Sequence, residues 1–434
     1  MSDTASSDNV AGEQDESLNT AINAILSTDA DIFGGYPVDE NFLMYLANRY
    51  GIEKLFEITD ALEEEQDIEL WYTQTGNSIH VLMYDYYISS GMRVEYEDRY
   101  RIITPASEDE TVLAFTGDMN FDDSLATMAN YRQNGLSGIL DEGLRDLMKN
   151  VDIMTVNCEC SLSERGEPLD GKSFTFRGKP ENASIMAKLG VDVASIANNH
   201  IYDYGPDALV DTYDAIEAAG ILPVGAGNDL EQAMEPVCFI ANGRKISIVA
   251  ATQIERTYNY TRQATADTPG VLKTYDPGLF CEVIKKADAN SDVVIAYVHW
   301  GTEKVNYVDE SQLELAKAFV EAGADAVIGA HPHVLQGLEF VEQVPVAYSL
   351  GNFWFGSTST DGHNKRDTAV AEIVIKKNGE LLMKFLPCVQ QDFATSLITD
   401  PEEYKRIKDY EQSISRRVKI DTDGTVINNK SLEE

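Results

Sequence analysis

From Val112 onward the chain alternates short apolar runs with helical patterns, and that alternation restricts the fold more than any other feature. The runs cover 112–116, 153–157, 191–196, 246–251, 293–298, 326–328 and 344–349. Between them, stretches at 138–149, 182–189, 208–219, 277–289 and 311–322 repeat apolar residues at three- and four-residue spacing. The expectation is an α/β domain. Two later runs, 369–376 and 381–387, flank Asn378-Gly379 and read as an antiparallel hairpin.

The part ahead of this alternation has a different texture. Residues 1–16 are polar and acidic, and read as a disordered segment or linker. Residues 17–104 read as a mainly helical N-terminal module of unknown role, with helices over 39–50, 52–62 and 68–75. The stretch 78–89 fits strand or helix, and His80 within it reads as a core or surface histidine. The α/β domain is placed at 111–395, and 396–434 reads as a charged C-terminal extension.

Five of these apolar runs are followed by polar residues of a restricted kind. The first ends in Gly117-Asp118-Met119-Asn120 and the second in Asn157-Cys158-Glu159-Cys160. The third leads to Asn198-Asn199-His200-Ile201-Tyr202-Asp203, the fifth to His299-Trp300-Gly301-Thr302-Glu303, and the sixth to Gly329-Ala330-His331-Pro332-His333. Open α/β sheets bind ligands outside the carboxyl ends of their strands, so these five clusters are candidates for one shared site. In the last cluster Gly329 and Ala330 are expected to turn the backbone, and Pro332 stiffens the piece between two imidazoles. Taken alone, those two could equally be satisfied loop histidines.

Together, Asp118, Glu159, Asn199, His299, His331 and His333 offer nitrogen and oxygen donors with no thiolate. That set suits Mn, Fe or Zn at high coordination number, and is large enough for two divalent metal ions. Strand alternation puts Asn157 and Glu159 on one face and Cys158 and Cys160 on the other, so the cysteines read as packing. His200, with Asp203 three residues on, suits a general acid oriented by a carboxylate; capping of the next helix is the plainer role for Asp203.

Composition narrows the partners. With 73 acidic against 34 basic residues the net charge is −39, which disfavours nucleic acid and anionic lipid. No apolar run reaches the length of a membrane span. The N-terminus has neither the basic nor the apolar region of a signal peptide, so the chain as it stands is expected in the cytoplasm, or outside the cell if a leader is missing. Five cysteines without regular spacing fit a reducing compartment. An anionic substrate needs local attraction, from metal or a small basic patch; Arg165, Arg177, Lys179, Arg256 and Arg262 lie in loops that could face it, although exposed solvated charge is the plainer role for most of them.

In order, Gly117-Asp118, Asn157-x-Glu159, Asn198-Asn199-His200-x-x-Asp203-x-Gly205, His299-Trp300-Gly301-x-Glu303, Gly329-Ala330-His331-Pro332-His333 and Ser349-Leu350-Gly351-Asn352-Phe353 resemble the CapA family of poly-γ-glutamate capsule synthesis proteins, within the calcineurin-like metallophosphoesterases. The resemblance runs from about 111 to 390. It implies a four-layer α/β/β/α sandwich, here preceded by the small mainly helical N-terminal region, with a dinuclear centre at one edge. It also implies that Asp118, Glu159 and His333 hold one metal, with Glu159 bridging. Asn199, His299 and His331 would hold the other, and His200 would be the general acid. Asn120 stands where the superfamily places a histidine, so a carbonyl oxygen would replace an imidazole.

Two functions follow from that resemblance. One is a metal-dependent hydrolase of a phosphoester or amide, acting on an anionic small molecule or on poly-γ-glutamate. The other is a non-catalytic polymer-binding or scaffold subunit, working with the components of a capsule-synthesis complex.

Overall fold

The computed structural model describes residue 20 and residues 22–27, 32–65, 67–92, 94, 99–255, 260–356 and 366–429. The segment 1–16 and Arg256 lie outside the described residues. The chain divides into two compact units, one of residues 1–97 with the loops 242–245 and 289–292, the other holding the remainder.

The smaller unit is built from helices Glu40–Tyr50, Ile52–Glu65, Leu70–Thr75 and Ile79–Ser89. Asp39 and Ser78 cap two of them by accepting hydrogen bonds from the Phe42 and Val81 amides. The ambiguous stretch at 78–89 is therefore a helix, and a capping serine decides it. Phe42, Leu43, Leu46, Leu55, Ile58, Leu62 and Leu82 bury one face of each helix around Trp71. The Trp71 indole N–H donates to Ile32 O at 2.8 Å, so even the ring's polar atom is satisfied.

The larger unit is mixed α/β. Its seven-stranded sheet has the order Tyr100–Ile102, Val237–Ala241, Arg244–Thr252, Val293–His299, Ala326–Ala330, Val344–Leu350, Leu335–Val341. A ten-stranded sheet has the path Val418–Ile420, Thr425–Asn428, Leu381–Gln391, Arg366–Lys376, Glu110–Met119, Ile153–Cys158, Val193–Ser195, Leu222–Val224; Asn352–Trp354 also pairs with Glu110–Met119, and Ala394–Leu397 with Leu381–Gln391. The expected hairpin is present and pairs Arg366 through Ile375 with Gln390 through Leu381. The C-terminal strands join the same sheet, so part of the charged extension is sheet edge.

Three apolar clusters account for the core. One draws on both sheets, with Phe115, Ile153 and Val193 from one and Ile248, Ile295 and Ile328 from the other. Another joins the ten-stranded sheet to helices Glu142–Asn150, Ala183–Leu189 and Pro206–Ala218. The third joins the seven-stranded sheet to Gly278–Asp288 and Glu310–Glu321. Cys158 and Cys160 sit in the second cluster, as the face argument requires.

Register then fixes which residues meet at the strand ends. The parallel strands Glu110–Met119 and Ile153–Cys158 set Asp118 beside Asn157, and Asn352 pairs with Asp118 from the other side. In the second sheet His299 lies opposite Ala330, one residue before His331. Gly117 makes this closure possible: a Cβ there would stand 1.8 Å from Gly351 O, the atom that accepts the Asp118 amide at 2.9 Å.

Candidate metal centre

Polar side chains from both sheets converge here with almost no exposure. Asp118, Glu159 and His299 are fully buried, and Asn199, His200 and His331 nearly so. Such burial requires partners. Asn157 supplies several of them: its amide nitrogen donates to Asp118 Oδ1 at 2.8 Å and Glu159 Oε2 at 3.3 Å, and lies 3.4 Å from His299 Nδ1. Asn198 in turn donates to Asn157 Oδ1 at 3.1 Å, and its own oxygen accepts the His200 and Ile201 amides at 3.0 Å.

Two groups of donors share Glu159. His299 Nε2 is 2.8 Å from Asn199 Oδ1, 3.1 Å from His331 Nδ1 and 3.5 Å from Glu159 Oε1. On the other side, His333 lies 3.3 Å from Asp118 Oδ2 through Nδ1 and 3.8 Å from Glu159 Oε1 through Nε2. One ligand atom each from Glu159, His299 and His331 fall within 4.8 Å of one another, as do those of Asp118, Glu159 and His333. Glu159 Oε1 is common to both groups. It is also buried and accepts no hydrogen bond.

That orphaned oxygen fits a cation. Burial, reinforced by the neighbouring Asp118 carboxylate, pushes the Glu159 acid well above its usual range. Burial and then the surrounding histidines hold His299 and His331 well below theirs, and so as neutral imidazoles with a lone pair to give. His333 differs: burial alone would lower it, but its hydrogen bond to Asp118 and that carboxylate's charge prevail and raise it. A bound cation would favour the ionised carboxylate and the free imidazole lone pairs at once.

The turn that presents His331 and His333 is not the expected one. The strand continues through Ala330, and the backbone reverses at the histidines themselves, with φ of 98° and 60°. Gly329 serves packing instead, since a Cβ there would meet Tyr348 O at 2.1 Å and Trp300 Nε1 at 2.3 Å. Left-handed backbone at two non-glycine residues stores strain, held here by the Asn352 oxygen 2.8 Å from His333 Nδ1 and by the Lys304 amide donating to Pro332 O at 2.7 Å.

His200 stands beside this centre. Its Nδ1 is 2.8 Å from Asp203 Oδ2, which also accepts the Phe176 amide at 2.7 Å. Asp203 thus orients the imidazole rather than capping the following helix, whose N-terminus is Gly205 with no side-chain cap. Lys172 pairs with Asp203 at 2.7 Å and Glu255 at 2.6 Å, and its ammonium also donates to the Asn199 carbonyl. Asn120 is fully buried. Its side-chain oxygen accepts the Asp122 amide at 2.9 Å, and its nitrogen is buried without a partner.

A cleft of about 590 Å³ opens from this centre, lined by His200, His333, Asn352, Phe176, Phe355, Glu303, Lys304 and Arg366 among others. Among the described loop cations, Arg165, Arg177, Lys179 and Arg262 are not part of that lining. Arg165 pairs with Asp211 at 2.6 Å, Arg177 lies over the Tyr204 ring at 4.0 Å, and Lys179 is 3.9 Å from Glu181. The roles of Asn157, Asn352, Lys172, Lys304 and Arg366 were not legible from residue type. Asn157→Ala should lower metal affinity by about 10- to 100-fold, as loss of an outer-sphere orienting partner does; titration with Mn²⁺ measures it, and an unchanged affinity removes Asn157 from the centre.

Comparison with known proteins finds several relatives. A capsule biosynthesis protein CapA of Bacillus anthracis is 30% identical over 266 residues, 60% of this chain and 63% of its own. A PGA biosynthesis protein CapA of Bacillus subtilis (strain 168) is 34% identical over 209 residues, 48% of this chain and 53% of its own. The chain thus matches less than two thirds of the length of these relatives. Among solved structures, a hypothetical protein from Thermus thermophilus aligns with a TM-score of 0.38 at 16% identity, over 64% of this chain and 99% of its own. The model of the bacterial capsule synthesis protein family PGA_cap matches residues 112–357, a span holding every residue of the centre, and the chain belongs to that family.

Proposed function

We propose that this chain is a metal-dependent hydrolase serving capsule or poly-γ-glutamate metabolism, cleaving a phosphoester or an amide. The observation that carries the reading is Glu159 Oε1, buried, unpartnered and shared by two groups of potential ligands. In this reading Asp118, Glu159 and His333 hold one divalent ion, and Glu159, Asn199, His299 and His331 hold a second. Asn120 contributes at most a weak carbonyl, since that oxygen already accepts the Asp122 amide. Mn, Fe or Zn ions so placed would polarise the scissile group and lower the pKa of water. His200, fixed through Nδ1 by Asp203, delivers a proton to the leaving group from its other ring nitrogen.

The three apolar clusters support a four-layer α/β/β/α metallophosphoesterase-like sandwich for the larger unit, with the helical N-terminal unit as a cap or docking module. Among the described residues no helix is long and apolar enough to cross a membrane. The link to poly-γ-glutamate rests on the names of the Bacillus relatives. The test is metal analysis of the purified protein, followed by assays on p-nitrophenyl phosphate and poly-γ-glutamate with added Mn²⁺. Expected are about two ions per chain and turnover of one substrate. Metal without turnover of either would favour a non-catalytic polymer-binding subunit; absence of metal would sink the site assignment.

A further inference from the structure

Glu303 is the one acidic group at the centre to which the hydrolase reading gives no task. A single carboxylate oxygen of Glu303 lies within 4.8 Å of ligand nitrogens on both His331 and His333, yet the residue is exposed. It is held there by its own turn. Gly301 and Lys304 adopt φ of 81° and 61°, and the Lys304 amide is tied to Pro332 O, between the two histidines. The carboxylate therefore stands on the open side of the centre, where the cleft begins.

The same cleft carries the opposite charge elsewhere. Lys304 and Arg366 both line it, and among the described residues no carboxylate forms an ion pair with either. Burial pulls the Arg366 guanidinium below its usual pKa, with no counter-charge to offset it. The adjacent Asp367 is already engaged by Arg406 at 2.6 and 2.8 Å. Phe174, Phe176, Phe355 and Tyr410 supply apolar wall between. In a chain of net charge −39, two cations in one cleft, without ion pairs among the described residues, with an anion at its metal end form a sorted arrangement.

Building on the hydrolase reading above, we propose that Glu303 is a specificity-determining residue that disfavours a dianionic phosphoryl group at the centre and favours the neutral acyl group of an amide, while Lys304 and Arg366 receive a carboxylate of the same substrate. A phosphomonoester would bring two negative charges against Glu303, and like-charge juxtaposition is a strong means of rejection. An amide carbonyl brings none. The substrate class is thus a carboxylate-bearing peptide-type amide.

The test uses full-length protein loaded with Mn²⁺, comparing wild type, Glu303→Gln and the double variant Lys304→Ala/Arg366→Ala. Glu303→Gln should keep its Mn²⁺ content and bind inorganic phosphate about tenfold more tightly, with kcat/KM for p-nitrophenyl phosphate rising against γ-glutamyl-p-nitroanilide. The double variant should raise KM for the anilide about tenfold at unchanged Mn²⁺ content. Loss of Mn²⁺ from Glu303→Gln would make Glu303 a ligand and overturn the inference. Equal phosphate affinity in wild type and Glu303→Gln would overturn it while leaving the centre intact. A wild type that binds no Mn²⁺ would overturn the hydrolase reading and this one with it.

Discussion

Glu159→Gln should weaken metal binding by at least about 100-fold and, in chelator, make the metal-free protein more stable. The first effect follows from replacing the carboxylate shared by both donor groups with a neutral amide that offers one weaker oxygen; even outer-sphere partners are worth about 10- to 100-fold. The second follows from burial. A buried ionised carboxylate with an unpartnered oxygen bears a larger desolvation cost than a neutral amide in its place, for which an unsatisfied polar atom costs about 1–3 kcal/mol. The sign with pH is fixed. Glu159 has a folded pKa above its unfolded value, so its cost is absent in acid and grows as pH rises past the usual carboxylate range. Urea denaturation in chelator at pH 5 and pH 7.5 should therefore show the variant's advantage widening at the higher pH. His299 and His331 act oppositely, since their folded pKa values are depressed and stability falls as pH drops below about 6.5. Both proteins carry them, and because His299 Nε2 lies 3.5 Å from Glu159 Oε1, the same comparison in a His299→Ala background separates the two contributions. A gap that narrows with pH would mean that Glu159 is not the orphan the geometry makes it.

His200→Ala should leave metal content unchanged and slow turnover by about 10²–10⁴, with the size set by the leaving group. An alkoxide or amine departs only with a proton, and Asp203 at 2.8 Å from Nδ1 holds the imidazole to supply one. p-Nitrophenolate departs without help, so nitrophenyl esters should lose far less. Asp203→Asn should follow the same pattern more weakly, because it leaves the ring present but differently oriented. Equal losses for good and poor leaving groups would take His200 out of proton transfer and leave it a binding residue.

Much of the centre was legible because strand ends expose chemistry. An apolar run stops where the chain leaves the core, and the next polar residue of unusual type is already placed. Asp118, Glu159, His299 and His331 follow that rule, with register setting Asp118 beside Asn157 and His299 opposite Ala330. Asn157 was harder. Its position on the Glu159 face was readable, but an asparagine at a strand end more often marks a turn, and nothing local says that it holds Asp118, Glu159 and Asn198 together. Lys172 reaches the Asn199 carbonyl from 27 residues away, through a loop without periodic pattern. The reversal at His331 was assigned to the preceding glycine, because sequence reports which residue tolerates a conformation, and packing decides which one adopts it. Loop arginines drew attention for their charge alone, and the structure spends Arg165 on Asp211.

The centre is stitched from strands of both sheets, and that has a consequence for how the protein acquires its metal. Asp118 and His331 are 213 residues apart in the chain. No nascent segment of ordinary length contains a complete ligand set, so the ion cannot nucleate folding as it does in small zinc modules. The apolar clusters that bring the strands together contain no ligand and need no ion. On the metal-centre reading, loading would be the last event of maturation, and cells starved of metal would accumulate a folded, fillable apoprotein rather than an unfolded chain.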